Sequence, residues 1–425
     1  MSALTGESRR VSGRPAYRDA NVVRWLVGFA TSLVGDQVYF VALAWAATQV
    51  AEPAQVGLVL AAGSVPRLVL LLVGGVLADR WGAKRLMIGS DVVRSAVMAT
   101  AALLLVTTTP TVVLLVVVAV VFGVVDALFL PAVGSLPPRL VEAPELARVQ
   151  AMRGLVQRSA IVVGAPLGGW VVATHGAAAA FAVNAVTFAV SVLALAATRL
   201  RPAPDVPAAP QSAVLSEVAG GIGYVRRSRL LLPLLVAAAV GELGFTGPFN
   251  VGVPLLAAEN GWGATGVGLL VGAFGLGAAV TTLALVVVGR LPRAGLAIGT
   301  SICLMALAIA GIGLAPTRAT AVVAALLLGL AGGVSGSLFG ALMLASTDAA
   351  YLGRVVSLSS LASFGGIPVG YAATGVLAGA FGPSSTFVLG AALSAAAGVY
   401  ALATPALRRA ELPTLRPAGR ATDAG

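Results

Sequence analysis

The sequence predicts an all-α polytopic membrane protein with twelve transmembrane helices in two pseudo-symmetric bundles of six. Three observations carry that expectation. The chain of 425 residues is 58% hydrophobic and 10% charged, with a mean hydropathy of +0.98, which is more apolar surface than one water-soluble core hides. Stretches such as Val112 to Leu130 reach the roughly 20 residues a helix needs to cross hydrocarbon, and about twelve of them follow one another. Basic residues gather on every second connection, the positive-inside asymmetry of an even-numbered bundle with both termini in the cytoplasm. A membrane barrel would instead alternate in pieces of about ten residues, and no such pattern occurs.

Residues 1–20 form a polar N-terminal tail carrying Arg9, Arg10, Arg14 and Arg18. It lacks the apolar core and cleavage site of a signal peptide, so the first apolar segment is expected to stay as a spanning helix. The first half, 21–197, divides into Asn21 to Ala47, Ala54 to Ala78, Arg85 to Thr107, Thr111 to Pro131, Gln150 to Ala173 and Ala180 to Ala197. A cytoplasmic linker, 198–229, begins rich in alanine and proline and then offers an amphipathic run from Val214 to Tyr224 suited to the membrane interface. The second half, 230–402, divides into Leu230 to Ala257, Ala264 to Val288, Ala294 to Leu314, Ala319 to Ala345, Val355 to Ala380 and Pro383 to Leu402. A cytoplasmic tail, 403–425, follows. Inside connections hold Arg80, Lys84, Arg85, Arg139, Arg148, Arg226, Arg227, Arg229, Arg290, Arg293 and Arg354, whereas those near Ala51, Thr109, His175, Ala258 and Pro383 are nearly bare. Two six-helix halves joined by an inside linker suit a secondary transporter with its substrate site near the bilayer midplane.

The same placement disposes of several functions. A net charge of +11 would suit a nucleic-acid partner if it formed a stripe, but it follows the topology instead. Cys303 and His175 are the single cysteine and histidine, too few for a disulfide or a metal site. Neither a phosphate-binding loop nor an aqueous grouping of nucleophile, base and orienting residue occurs. The chain therefore reads as neither an ATPase nor an enzyme, and no cofactor is expected.

Charges in hydrocarbon are expensive and mark pairing, water-filled cavities or transport paths. Counting 1.5 Å per residue brings Asp36, Arg67 and Glu242 to similar depths. Asp36 and Arg67 read either as a carboxylate alternating between a proton and a cationic partner or as a permanent ion pair. Glu242 reads as a proton or cation site, a structural hydrogen-bond acceptor, or a partner of Arg67 across the halves. Asp91 and Arg94, three apart on one helix face, read as a local pair with Arg94 reaching toward the interface, or as part of a cytoplasmic gate. Asp126 is placed to pair with Arg94 or Arg158 and joins the proton-coupling candidates. Candidate substrate contacts are Gln37, Tyr39, Phe245, Phe249, Asn250, Phe274, Phe339 and Phe364, whose apolar area and few donors suit an amphipathic molecule.

The connection after the second segment carries Gly75, Asp79, Arg80, Gly82, Lys84 and Arg85. It resembles the G-x-x-x-D-R-x-G-R/K-R/K signature of the major facilitator superfamily. The resemblance implies a cytoplasmic gate at Asp79 and Arg80, with Gly75 and Gly82 permitting close packing and the turn. Gly164, Ala165, Pro166, Leu167, Gly168 and Gly169 resemble the G-P-x-x-G-G motif of drug antiporters, with Ala165 intervening between Gly164 and Pro166. The runs Ser32 to Asp36, Phe129 to Ala132 and Asn184 to Phe188 are similar to the branch holding macrolide, tetracycline and siderophore exporters. Gly289 to Arg293 looks like a degenerate second-half copy of the loop, without its acidic residue. The resemblance implies a monomer in a bacterial plasma membrane exporting amphipathic organic compounds against protons by alternating access. The alternatives are a carrier importing or exchanging a defined small metabolite, and a lipid handler or signalling partner.

Overall fold

The computed structural model describes residues 16–201, 214–289 and 291–412. Continuous apolar runs leave no polar face to hydrogen-bond lipid, so the backbone satisfies itself as helix. Among the described residues, eleven helical segments are long and apolar enough to cross a membrane. In the first half these are α1 (Ala20–Val50), α2 (Pro53–Trp81), α3 (Ala83–Thr107), α4 (Val112–Ser135) and α5 (Ala143–Ala196). The starts are set by local chemistry. Asp19 Oδ1 accepts from the Asn21 amide at 2.7 Å, Thr111 Oγ1 accepts from Leu114 at 3.2 Å, and Pro53 opens α2.

The fifth and sixth expected segments are the two helical arms of α5, which meet directly at Gly176 (φ 81, ψ 172). The reversal falls inside the expected turn between Ala173 and Ala180, but it takes one residue and no loop. A single glycine suffices because it alone takes positive φ without a Cβ clash. The arm before Gly176 runs parallel to α1, with Gly164 beside Val34 and Gln37 and Gly168 beside Val38. The arm after it runs antiparallel, with Asn184 beside Gly35 and Leu195 beside Gly28. The helix also starts seven residues before Gln150. That extra length is polar and tied down: Glu145 accepts from the Ala16 amide at 2.9 Å and pairs with Arg148 at 2.9 Å.

The linker holds α6 (Val214–Arg227). It rests on the start of the helix that begins at Leu352, where Tyr224 stacks on Tyr351 at 4.3 Å and its hydroxyl accepts from the Asp348 amide at 3.1 Å. The second half comprises α7 (Leu231–Gly247), a π turn at Pro248–Gly252 and α8 (Val253–Glu259), followed by α9 (Gly263–Val288), α10 (Ala294–Gly313), α11 (Arg318–Ala345), α12 (Leu352–Gly365), α13 (Ile367–Phe381), α14 (Pro383–Ala403) and α15 (Pro405–Arg408). Two expected segments are thus interrupted, the seventh at the π turn beside Pro248 and the eleventh at Gly366 ahead of Pro368, where proline lacks the amide that a continuous helix requires.

Packing repeats between the halves. α2 packs on α4 as α9 packs on α11, and α3 packs on α5 as α10 packs on α14. Across the halves, α5 meets α9 and α2 meets α13. Parts of the tails (1–15 and 413–425) and of the linker (202–213), with Arg290, lie outside the described residues.

Candidate functional site

Between the halves lies a cavity of about 290 Å³, walled by α1, α2, α4, the π turn, α9, α12 and α13. Its lining follows helical periodicity. Leu60, Gly63, Ser64, Arg67 and Leu68 form one face of α2, and Ala119, Phe122, Gly123 and Asp126 one face of α4. Tyr39 stacks on Phe122 at 3.9 Å between ring centroids. The remaining polar lining is Gln37, Asn250 and Tyr371.

The charges join differently from the depth-based expectation. Arg94 is fully buried and faces three carboxylates: Nη1 lies 3.5 Å from Asp36 Oδ1 and 3.8 Å from Asp91 Oδ1, and Nη2 lies 3.4 Å from Asp126 Oδ1. Its guanidinium sits 4.2 Å from the Phe129 ring centroid and 5.4 Å from those of Phe122 and Phe188, a wall that favours the cation by its π faces. Arg94 thus does not reach toward the interface; it is the hub of the N-terminal half. Ser32 and Ser191 donate to Asp91 at 3.3 and 2.6 Å, satisfying the carboxylate farthest from the cavity. Arg67 pairs with Asp126 instead of Asp36, Nε to Oδ2 at 3.2 Å, and lies 5.5 Å from the ring centroid of Phe364 across the halves. The side chain of Arg67 is 32% exposed and that of Asp126 11%, against 0% for Arg94. Asp126 therefore links a cavity-facing cation to a buried one. Three carboxylates meet two guanidiniums, leaving one formal negative charge to be balanced by a proton or a cation.

Glu242 stands apart. It accepts from Thr246 at 2.8 Å, in a small recess with Gly366 and Gly370, and no ion pair joins it to Arg67 among the described residues. Of the expected substrate contacts, Gln37, Tyr39, Phe249, Asn250 and Phe364 line the cavity. Phe245 and Phe274 do not; with Phe249 they form an aromatic group at 4.8 to 5.3 Å behind it. Phe339 packs in the core of the second half. Phe40, Ser64 and Tyr371 line the cavity too and were missing from the sequence reading. Phe40 and Ser64 were detectable, since each lies three residues from Gln37 or Arg67 on the same helix face.

The antiporter-like motif forms a joint. Gly164 and Gly168 face α1, while Pro166 and Gly169 face Gly272 and Gly268 of α9 in the other half. A methyl on Gly169 would stand 2.5 Å from the Ala264 carbonyl and 3.0 Å from Gly268 Cα, so only glycine permits this approach. Gly57 and Gly375 make the matching contact between α2 and α13, with a Cβ on Gly375 falling 2.8 Å from Gly57 Cα. Both contacts lie toward the face holding the 50–53, 259–263 and 381–383 connections and seal the cavity there. Gly268→Leu is accordingly expected to hold the halves apart at that face. Spin labels at Gln49→Cys and Pro316→Cys in a Cys303→Ser background should separate by several ångströms relative to the parent; an unchanged distance distribution would count against the joint.

Of the expected gate, Gly75, Asp79 and Arg80 lie within 71–80, whose side chains are outside those described. Gly82 takes φ 81 ahead of α3. Lys84 Nζ donates to the carbonyls of Ala196 and Thr198 at 3.0 and 2.7 Å, capping α5, and Arg85 is exposed. Among the described residues, no group of three or more His, Cys, Asp and Glu is placed to hold a metal ion.

Residues 15–421 match the family model of the transmembrane secretion effector, a major facilitator family. The chain belongs to that family. As a transmembrane secretion effector it is a multi-pass membrane transporter and not an enzyme. It is 27% identical over 413 residues to the multidrug efflux pump Tap of Mycobacterium tuberculosis, covering 91% of this chain and 94% of that protein. It is also 27% identical over 370 residues to the enterobactin exporter EntS of Citrobacter koseri, covering 86% and 87%. Among solved structures, the nucleoside transporter NupG superposes with a TM-score of 0.71 at 14% identity over 90% of this chain and 99% of that one. The peptide transporter POT superposes with 0.71 at 12% identity over 95% and 97%. These two likenesses concern the fold alone.

Proposed function

We propose that this protein exports amphipathic organic compounds, of the antibiotic or siderophore-like kind, in exchange for protons across a bacterial plasma membrane. The chain crosses twelve times, the two arms of α5 counting as two crossings, in bundles spanning 21–197 and 230–402 with both termini in the cytoplasm. The observation that carries the reading is the cluster of Arg67, Asp126, Arg94, Asp36 and Asp91, a relay that opens on the inter-half cavity at Arg67 and Asp126 and holds one carboxylate more than its cations. A proton arriving at Asp126 loosens its hold on Arg67, and a compound in the aromatic-lined cavity competes for the same groups. Exchange follows because each ligand shifts the equilibrium only through its different affinity for the two states. Asp79 and Arg80 are assigned to the cytoplasmic gate. The full-length similarity to Tap and EntS supports the outward direction.

Proteoliposomes with an imposed pH gradient test the reading against a panel of lipophilic cations and macrolide-like compounds. Gradient-dependent movement of at least one class is expected. Folded protein that moves none of them, but carries a polar metabolite through contacts such as Gln37, Ser64 and Asn250, would replace export with metabolite carriage.

A further inference from the structure

We propose that the cleft between α1 and the end of α5 binds the phosphate headgroup of an anionic phospholipid. Three cations line it: Arg24, Lys84 and Arg199, with Thr198 between them. Among the described residues, no carboxylate lines it. The cations are built in. Arg24 Nη1 donates to the Ala197 carbonyl at 3.4 Å, Lys84 holds two further carbonyls at the same helix end, and the Arg199 amide donates to Asn21 Oδ1 at 3.0 Å. These contacts fix the backbone and two of the side chains, while guanidinium N–H groups on Arg24 and Arg199, both exposed, stay available to bind a phosphate bidentately.

The neighbouring surface favours a lipid over a free anion. Running away from the cleft, Leu193, Val190 and Val186 form one exposed apolar stripe on α5, and Val27 continues from Arg24 on α1. The helices touch between these stripes, where a Cβ on Gly28 would meet Ala194 and Leu195 at 3.2 to 3.4 Å. A headgroup in the cleft therefore lays its acyl chains along the seam, matching charge to charge and hydrocarbon to hydrocarbon. The leaflet, cytoplasmic, rests on the orientation proposed above; the site does not.

The test is equilibrium binding of phosphatidylglycerol to the purified full-length protein, by native mass spectrometry and by thermal shift in mixed micelles, with phosphatidylcholine as control. Arg24→Gln with Arg199→Gln is expected to weaken phosphatidylglycerol binding about tenfold, whereas Arg24→Lys with Arg199→Lys keeps most of it. Equal binding by wild type and the glutamine variant would overturn the proposal, as would equal loss in the lysine variant. Inorganic phosphate that stabilises or competes as well as the lipid would make this a site for a soluble anion and overturn the lipid assignment. Because none of these readouts uses transport, failure here leaves the export reading untouched.

Discussion

Arg94→Ala is expected to be the most destabilising single substitution in the chain. It removes a fully buried cation and leaves Asp36, Asp91 and Asp126 facing one another with one cation, Arg67 on Asp126, and with Ser32 and Ser191 donating to Asp91. Breaking a buried ion pair from one side costs about 3–5 kcal/mol, because the charge left behind has neither water nor a partner. Three carboxylates left together sit at the upper end of that range. Fluorescence-monitored size exclusion and thermal unfolding in detergent should find little monodisperse protein, or a large fall in melting temperature. A variant carrying Arg94→Leu with Asp36→Asn and Asp91→Asn should recover much of the stability, since it leaves only the balanced Arg67–Asp126 pair and no uncompensated buried charge. An Arg94→Ala protein as stable as wild type would remove Arg94 from the centre of the cluster.

The largest functional effect is expected from Asp126→Asn. The substitution leaves two carboxylates, Asp36 and Asp91, against Arg94 and Arg67, so the cluster is balanced without a proton. Asparagine keeps one acceptor, Oδ1, for one of the two arginines, and Arg94 retains Asp36 and Asp91, so the fold should survive. Coupling free energies of 1–3 kcal/mol correspond to factors of about 5 to 150, and gradient-driven efflux should fall by a factor in that range. Substrate exchange at equal pH on both sides should persist. Gradient-driven efflux retained by Asp126→Asn but lost in Glu242→Gln would move the proton site to the recess beside Thr246 and set aside the relay.

The arginines explain what could be read in advance. Arg67 and Asp36 are at matching depths, and depth alone makes them partners. In the structure each turns to a different group, Arg67 to Asp126 and Asp36 to Arg94, because the rotation of α1, α2 and α3 about their own axes aims the side chains. On its helix alone Arg94 is placed to reach out of the membrane, yet Phe122, Phe129 and Phe188 from α4 and α5 close around it. Phe245 a turn before Phe249 and Phe274 on α9 stack with Phe249 into one aromatic group, yet only Phe249 reaches the cavity. Gly169 belongs to a recognisable motif, but its need for glycine comes from Ala264 and Gly268, about a hundred residues away.

By itself the sequence determined the membrane class, the run of apolar segments, the alternation of basic connections and the family resemblance. Each is a property of consecutive residues: length in hydrocarbon, charge at a helix end, or a local motif. Tertiary structure alone decided the Asp36–Arg94 and Asp126–Arg67 pairs and the choice of Arg94 over Arg158 for Asp126, the membership of the cavity, the single-residue break at Gly176 and the glycine contacts between halves. Helical periodicity sets a residue's depth and its face on its own helix, whereas contact between helices also depends on their relative rotation, crossing angle and separation, which arise only when all the spans pack at once.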